Sequence, residues 1–166
     1  MKDFKIVKAT FGNESKNEGR DYSHHIFFIV SDNTDTDIQL SIHKNIVKNK
    51  LEEIGIELPV VTDIDRDTRL NLGKKNYQLL NLLRNYNMKA DIVHHEAGDE
   101  YEAIDSDGNV MEDEMRTVKS DGYHIENPLN IEFQETDKSI ERQYKYANLL
   151  AKASVVADLL PETVSN

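Results

Sequence analysis

Acidic residues are concentrated in one stretch of this chain, and that limits what the stretch can fold into. Residues 91–137 contain 15 acidic residues and only two basic ones, Arg116 and Lys119, for a net charge of −13. The parts before and after this stretch each carry +1, which gives the net charge of −11 for all 166 residues. Because unpaired carboxylates are costly to bury, the stretch must keep one face in water whatever structure it adopts.

The acidic stretch also has the pattern of short β-strands. Strands are predicted near 91–95, 101–105, 110–118, 123–126 and 129–133. Two Ser-Asp-Gly triplets lie between them, and glycine after aspartate is typical of tight hairpin turns. The sequence therefore predicts an acidic β-meander over residues 91–137, with its carboxylates displayed on a hydrogen-bonded ribbon.

Apolar patterns before the acidic stretch predict strands followed by helices. A first strand near residues 4–11 includes a slip or bulge, and the run 26–30 lacks alternation, which predicts a strand covered on both faces. Ile38, Leu40 and Ile42 alternate with polar residues, as in a half-buried strand, and complete a hairpin.

Two helices are predicted between this hairpin and the acidic stretch. The first covers residues 44–54 and ends before Gly55, a typical C-cap glycine, and the second covers residues 72–87. A long helix is predicted over 137–160, stopped by Pro161 and apolar nearly all round in its second half. Together these elements predict a single α+β domain, with a mostly antiparallel sheet, two central helices and a long C-terminal helix.

Composition excludes several classes of function. The chain has no cysteine, which excludes disulfide frameworks, thiolate zinc sites, iron–sulfur clusters and cysteine nucleophiles. It has neither a glycine-rich phosphate loop nor a Gly-x-Ser-x-Gly nucleophile motif. No apolar run reaches the roughly 18 residues of a membrane span, and the first residues do not resemble a secretion signal, so we expect a soluble cytoplasmic protein with no membrane contact and no cofactor.

Two groups of residues are candidates for a metal site. Asp63 and Asp65, with Asp67 beside them, could hold Mg²⁺ for phosphoryl transfer, but helix capping by Asp67 or Thr68 explains the same pattern. His95, His124 and the neighbouring Glu96 form the second group, for which hydrogen-bonded histidines are the alternative interpretation. Either group would make the protein a metal-dependent hydrolase or nuclease.

The charge pattern favours a non-catalytic binding protein. A dense negative field repels nucleic acid and attracts basic protein surfaces, which excludes direct nucleic-acid binding by this stretch. In its sharpest form the protein mimics a nucleic acid and inhibits a basic nucleic-acid-handling protein. Its 14 lysines against six arginines are typical of a low-GC bacterium or its phages and mobile elements.

Thirteen carboxylates are the candidate partner-binding residues: Glu96, Asp99, Glu100, Glu102, Asp105, Asp107, Glu112, Asp113, Glu114, Asp121, Glu126, Glu132 and Glu135. Two other interpretations stay open at this point. The carboxylates could be only the solvated face of a sheet. The chain could also be an assembly component of a larger particle, or a homodimer, with the helix predicted over 137–160 as its contact.

Overall fold

The computed structural model describes residues 1–15, 20–32, 34, 36–136 and 149. By its internal contacts the chain divides into two compact units, residues 1–134 and 135–166. All elements described below lie in the first unit, except that the last strand ends one residue beyond it.

The described residues form ten strands, three α-helices and one 3-10 turn. The strands are β1 (Lys2–Phe11), β2 (Glu14–Ser15), β3 (Arg20–Asp21), β4 (His25–Ser31), β5 (Asp37–His43), β6 (Tyr86–His95), β7 (Glu100–Ile104), β8 (Val110–Thr117), β9 (Gly122–Glu126) and β10 (Glu132–Glu135). The helices are α1 (Lys44–Glu53), α2 (Asp63–Asp67) and α3 (Arg69–Leu83), and the 3-10 turn is Pro128–Asn130.

Six strands form one sheet that is nearly closed on itself. Five of them lie in the order β10-β6-β1-β4-β5, and β9 also pairs with β6. The β1–β4, β1–β6, β4–β5 and β6–β9 pairs are antiparallel. Strand β9 also lies close to β5, which brings the two ends of the sheet together. The pairs β2–β3 and β7–β8 form separate two-stranded sheets.

Apolar residues at alternate strand positions build the core. In β5 the side chains of Ile38, Leu40 and Ile42 are buried while the polar residues before each of them are exposed, as predicted. In β1 the pairing register with β4 shifts between Ile6 and Lys8, which confirms the predicted bulge. Helix α1 packs against β4 and β5, and helix α3 packs against β1.

Both predicted central helices are present. Helix α1 ends at Glu53, and Gly55 follows it with φ 79°, the left-handed conformation expected of a C-terminal glycine. Helix α3 begins earlier than predicted because Thr68 caps it: the Thr68 hydroxyl accepts a hydrogen bond from Asn71 N at 3.1 Å. It also ends earlier, because β6 begins at Tyr86.

The predicted fold class is wrong in its balance of elements. The described residues are dominated by strands, arranged in a nearly closed sheet, and their three α-helices have 10, 5 and 15 residues. The long helix predicted over 137–160 lies outside the described residues, apart from Leu149. None of the described helices is long and apolar enough to span a membrane.

Two finer predictions about strands also need correction. Strand β4 is fully buried on one face only: Ile26, Phe28 and Val30 are buried, whereas on the other face Phe27 is 36% exposed and Ile29 is half-buried. The strands of the acidic stretch do not pair in sequence as a meander would. Strand β6 pairs with β9 instead, and the β7–β8 hairpin is inserted between them as a sheet of its own.

Candidate functional site

Most of the candidate carboxylates lie on the β7–β8 hairpin, residues 100–117. Seven of the thirteen are there, against one basic residue, Arg116, so this hairpin carries a net charge of −6. Every residue of β8 is exposed. The seven carboxylates of the hairpin are Glu100, Glu102, Asp105, Asp107, Glu112, Asp113 and Glu114.

A three-residue bulge in β8 concentrates this charge further. Glu102 pairs with Met115, and the next residue, Ala103, pairs with Met111. The residues between these two partners, Glu112, Asp113 and Glu114, therefore have no opposite residue in β7. A bulge redirects side chains and increases the local twist. Three consecutive exposed carboxylates are therefore grouped at one place, outside the regular pairing of the two strands. We call these three residues the acidic bulge.

The hairpin is fixed to the body of the protein at its tip. Ala103 and Gly108 are buried, and Gly108 has φ 90°. A Cβ atom on Gly108 would lie 2.6 Å from Leu129 Cδ2 and 3.1 Å from Ile46 Cδ1, so the turn packs directly on these two side chains. Only glycine fits both this backbone conformation and this close approach.

Hydrogen bonds fix the base of the hairpin. Gly98 N donates to Val118 O at 2.9 Å, and Val118 N donates to Asp99 O at 2.8 Å. Ala97 N donates to Asp121 Oδ1 at 2.9 Å, which ties the chain entering the hairpin to the chain leaving it. With both tip and base held, the hairpin presents its carboxylates in a defined geometry.

Some of the candidate carboxylates have structural roles. Glu96 N donates to Asp99 Oδ2 at 2.9 Å, so the Asp99 side chain closes the turn before β7. Backbone N–H groups of Asn109 and Asp107 donate to Asp105 Oδ1, and the bond from Asn109 above all lowers the pKa of Asp105 below its usual value.

The remaining candidates lie outside the hairpin. Glu96 and Asp121 are exposed at its base, Glu126 is exposed at the end of β9, and Glu132 and Glu135 are exposed on β10. The structure thus gathers the hairpin carboxylates and leaves those of β9 and β10 on the main sheet. Among the hairpin's described carboxylates, Glu114 alone pairs with a cation, Arg116 at 3.4 Å.

A cleft of about 940 Å³ lies between the hairpin and the main sheet. The hairpin contributes Tyr101, Ala103 and Arg116 to its lining, and strands β4, β5, β6 and β9 contribute the opposite side. Four histidines line this cleft in two pairs: His25 with His43, and His95 with His124.

The His95–His124 pair comes from strands β6 and β9. The two Nδ1 atoms are 2.7 Å apart and the rings stack with centroids 4.9 Å apart. Gly122 is the cross-strand partner of His95, and a Cβ there would lie 3.3 Å from His95 Nε2, so the glycine makes room for this ring. Tyr101 of the hairpin stacks on His124 with ring centroids 6.4 Å apart, and this contact joins the hairpin to the sheet.

The His25–His43 pair comes from the β4–β5 hairpin. The two residues are direct cross-strand partners, and their ring centroids are 4.5 Å apart. Both Nδ1 atoms are buried and have no hydrogen-bond partner among the described residues. Burial lowers the pKa of His25, and the neighbouring His43 lowers it further. The same two causes, burial and then His95, lower the pKa of His124.

No family model, curated protein or solved structure matches this chain.

The first metal candidate proves to be a helix start. Asp65 accepts hydrogen bonds from Thr62 N at 2.8 Å and Thr62 Oγ1 at 2.9 Å, forming a capping box on α2. Asp63 pairs with Arg66 at 3.7 Å, on the same helix. The capping interpretation is confirmed by Thr68, which caps α3.

The second metal candidate is brought together only in part. His95 and His124 are in contact, but Glu96 is exposed at the turn after β6. Within the described residues, no group of three or more His, Asp or Glu side chains is placed to hold a metal ion.

Sequence reasoning missed the cleft as a whole. His25 and His43 are far from His95 and His124 in the chain, and only the approach of β5 to β9 brings the four together. The one available signal was the occurrence of adjacent histidine pairs at strand ends, at 24–25 and 94–95.

Proposed function

We propose that this protein is a non-catalytic binding protein whose β7–β8 hairpin docks on a basic surface of a protein partner. In its specific form, the partner is a nucleic-acid-handling protein, and the hairpin occupies the groove that would hold the nucleic acid. The observation that carries the proposal is a net charge of −6 on one exposed hairpin that is fixed at tip and base.

Electrostatics support the choice of a basic partner. Clustered like charges produce a field that raises the rate of encounter with an oppositely charged surface and disfavours like-charged ones. Glu112 and Asp113 of the acidic bulge have no ion pair within the described part of the chain, so their charge is available to a partner. A surface with such a field attracts the Lys and Arg side chains that otherwise contact phosphates.

The fixed geometry of the hairpin supports specificity. A disordered acidic tail loses conformational entropy when it binds, which weakens the complex. The packing of Gly108 against Leu129 and Ile46, together with the hydrogen bond from Ala97 to Asp121, orders the hairpin before any partner arrives. The loss of conformational entropy on binding is then smaller, so it offsets less of the electrostatic attraction.

Neutralising the acidic bulge tests the proposal. We predict that the triple variant Glu112→Gln, Asp113→Asn and Glu114→Gln captures much less of a basic nucleic-acid-handling protein from a low-GC bacterial lysate at low salt than the wild type does. Double-stranded DNA added as a competitor should release the captured protein from the wild-type chain. Quantitative mass spectrometry of the captured fractions at low and high salt measures both effects.

A matched control keeps the charge change and moves its position. Glu52, Glu57 and Asp67 are exposed and far from the hairpin in sequence, and their conversion to the corresponding amides also removes three negative charges. This control should capture as the wild type does. Equal losses in both triple variants, or capture of no basic nucleic-acid-handling protein by the wild type, would contradict the proposal.

We also propose a second role for the segment 137–160, which apart from Leu149 lies outside the described residues. Its apolar second half is the candidate contact for a homodimer or a larger assembly. Light scattering at micromolar concentration tests this, because a dimer has twice the chain mass of 19.1 kDa. A monomer at that concentration would remove the proposal.

A further inference from the structure

The cleft lined by the four histidines differs in charge from the acidic stretch around it. The chain has 31 acidic residues, yet none of those that the structure describes lines the cleft. The acidic stretch 91–137 has only two basic residues, Arg116 and Lys119, and both line it. The side chains that line the cleft thus carry positive charge, and of the two cations Arg116 also pairs with Glu114, which lies outside the lining, at 3.4 Å.

The cleft also offers hydrogen-bond donors. Tyr101, Thr117 and Ser120, which carry hydroxyl groups, are among its lining residues, together with the two histidine pairs. Carboxylate, sulfonate and phosphate oxygens accept hydrogen bonds from Arg, Lys, hydroxyl and imidazole N–H groups, and such charge-assisted bonds are the strong ones.

The rest of the lining is apolar and aromatic. Ile42, Ile46 and Ile125 contribute aliphatic surface, and the rings of Tyr101 and His124 lie nearly parallel. A volume of about 940 Å³ falls in the range of small-molecule sites, which combine an apolar lining with a few polar groups. This combination fits an organic molecule with one charged end better than an inorganic ion.

We propose that the cleft binds a small organic anion, an acidic group on an aromatic body. Arg116 and Lys119 hold the acidic group, and Tyr101 and His124 contact the aromatic body. The acidic stretch carries a net charge of −13 and its only basic residues are Arg116 and Lys119, so an anion is repelled by the rest of this stretch and attracted to the cleft. This site does not depend on the docking role proposed for the outer surface of the hairpin.

A metal ion fits the cleft less well. The Nδ1 atoms of His95 and His124 bond to each other, which occupies one nitrogen of each ring. The fixed charges of Arg116 and Lys119 repel a cation. Within the described residues the two histidine pairs also do not converge into a set of three ligands.

The test uses 1-anilinonaphthalene-8-sulfonate, an aromatic anion whose fluorescence rises in apolar surroundings. The full chain should bind one equivalent. The double variant Arg116→Gln and Lys119→Gln should bind it about tenfold more weakly or worse, because both cations at the sulfonate are lost. N-phenyl-1-naphthylamine, the neutral analogue, should bind the wild type and this variant equally.

A control variant with the same charge change separates the site from general attraction. Arg69 and Lys74 are exposed on α3 and do not line the cleft, so Arg69→Gln with Lys74→Gln should leave the sulfonate affinity unchanged. An equal loss in both double variants, or no loss in the cleft variant, would overturn the proposal. So would a parallel loss for the neutral analogue, or stoichiometric Zn²⁺ binding that the cleft variant retains.

Discussion

Burial lowers the pKa of two of the cleft histidines, His25 and His124. The pKa of His25 is lowered by burial first and by its cross-strand neighbour His43 second, and the pKa of His124 is lowered by burial and then by His95. Nearby carboxylates, Asp21 for His25 and Glu126 for His124, oppose the shift only as smaller contributions. Both imidazoles are therefore neutral in the folded protein at neutral pH.

The lowered pKa values predict a loss of stability in mild acid. In the unfolded chain these histidines take up protons near pH 6.5, before the folded chain does, so the free energy of unfolding should fall as pH drops below about 6.5. Urea unfolding between pH 7.5 and 5 measures this. The variant His25→Gln with His124→Gln should show a flatter profile, and a profile as steep as the wild type would contradict the assignment.

At the scale of elements, the hairpin owes its position to its turn. Within the turn of residues 105–109, the backbone N–H of Asn109 donates a hydrogen bond to Asp105 Oδ1. Gly108 of the same turn packs on Ile46, which is buried in the core. The hairpin is thereby joined to α1, and Ile46 of α1 also lines the cleft between the hairpin and the main sheet. A hairpin of two strands alone is only marginally stable in water, so these contacts decide whether it forms.

Replacing this glycine tests the contact. Gly108→Ala should lower the free energy of unfolding by about 1 kcal/mol more than Gly98→Ala, since both residues have positive φ but only Gly108 has neighbours in the way. Leu129 is half-exposed and can move aside, whereas Ile46 cannot, which keeps the expected difference modest. Chemical denaturation of both variants measures it, and equal losses would mean that the tip does not pack.

The elements that depend on local patterns could be predicted from the sequence, and their assembly could not. The alternation of Ile38, Leu40 and Ile42 and the glycine after α1 identify β5 and α1, because strand and helix periods are local properties. The pairing of β6 with β9 skips two strands, and no local pattern encodes it. The acidic bulge likewise depends on the register of β7 against β8, which turn residues alone do not set.

At the scale of the whole molecule, charge is distributed unevenly along the chain, and residues 91–137 carry −13. Residues 1–90 carry +1, whereas the inserted hairpin alone carries −6. The strands of the main sheet and the hairpin thus have different electrostatic roles. The proposed docking surface and the proposed anion cleft both use residues of this one hairpin.

This distribution predicts a salt effect on stability. Repulsion among the hairpin carboxylates opposes folding, and salt screens it, so raising NaCl from 20 to 300 mM should increase the free energy of unfolding in urea by up to about 1 kcal/mol. Neutralising the acidic bulge should make this increase in the free energy of unfolding smaller. A salt response unchanged by Glu112→Gln, Asp113→Asn and Glu114→Gln would place the repulsion elsewhere.

The acidic bulge has a consequence for the state of the protein at high concentration. A two-stranded sheet leaves unpaired backbone groups along its outer sides, and a second chain can extend the ladder there and start an aggregate. Three residues out of register, each with a negative side chain, interrupt the outer side of β8 and repel an identical copy. The acidic bulge, which concentrates charge for a partner, therefore also opposes edge-to-edge strand pairing between copies of this chain.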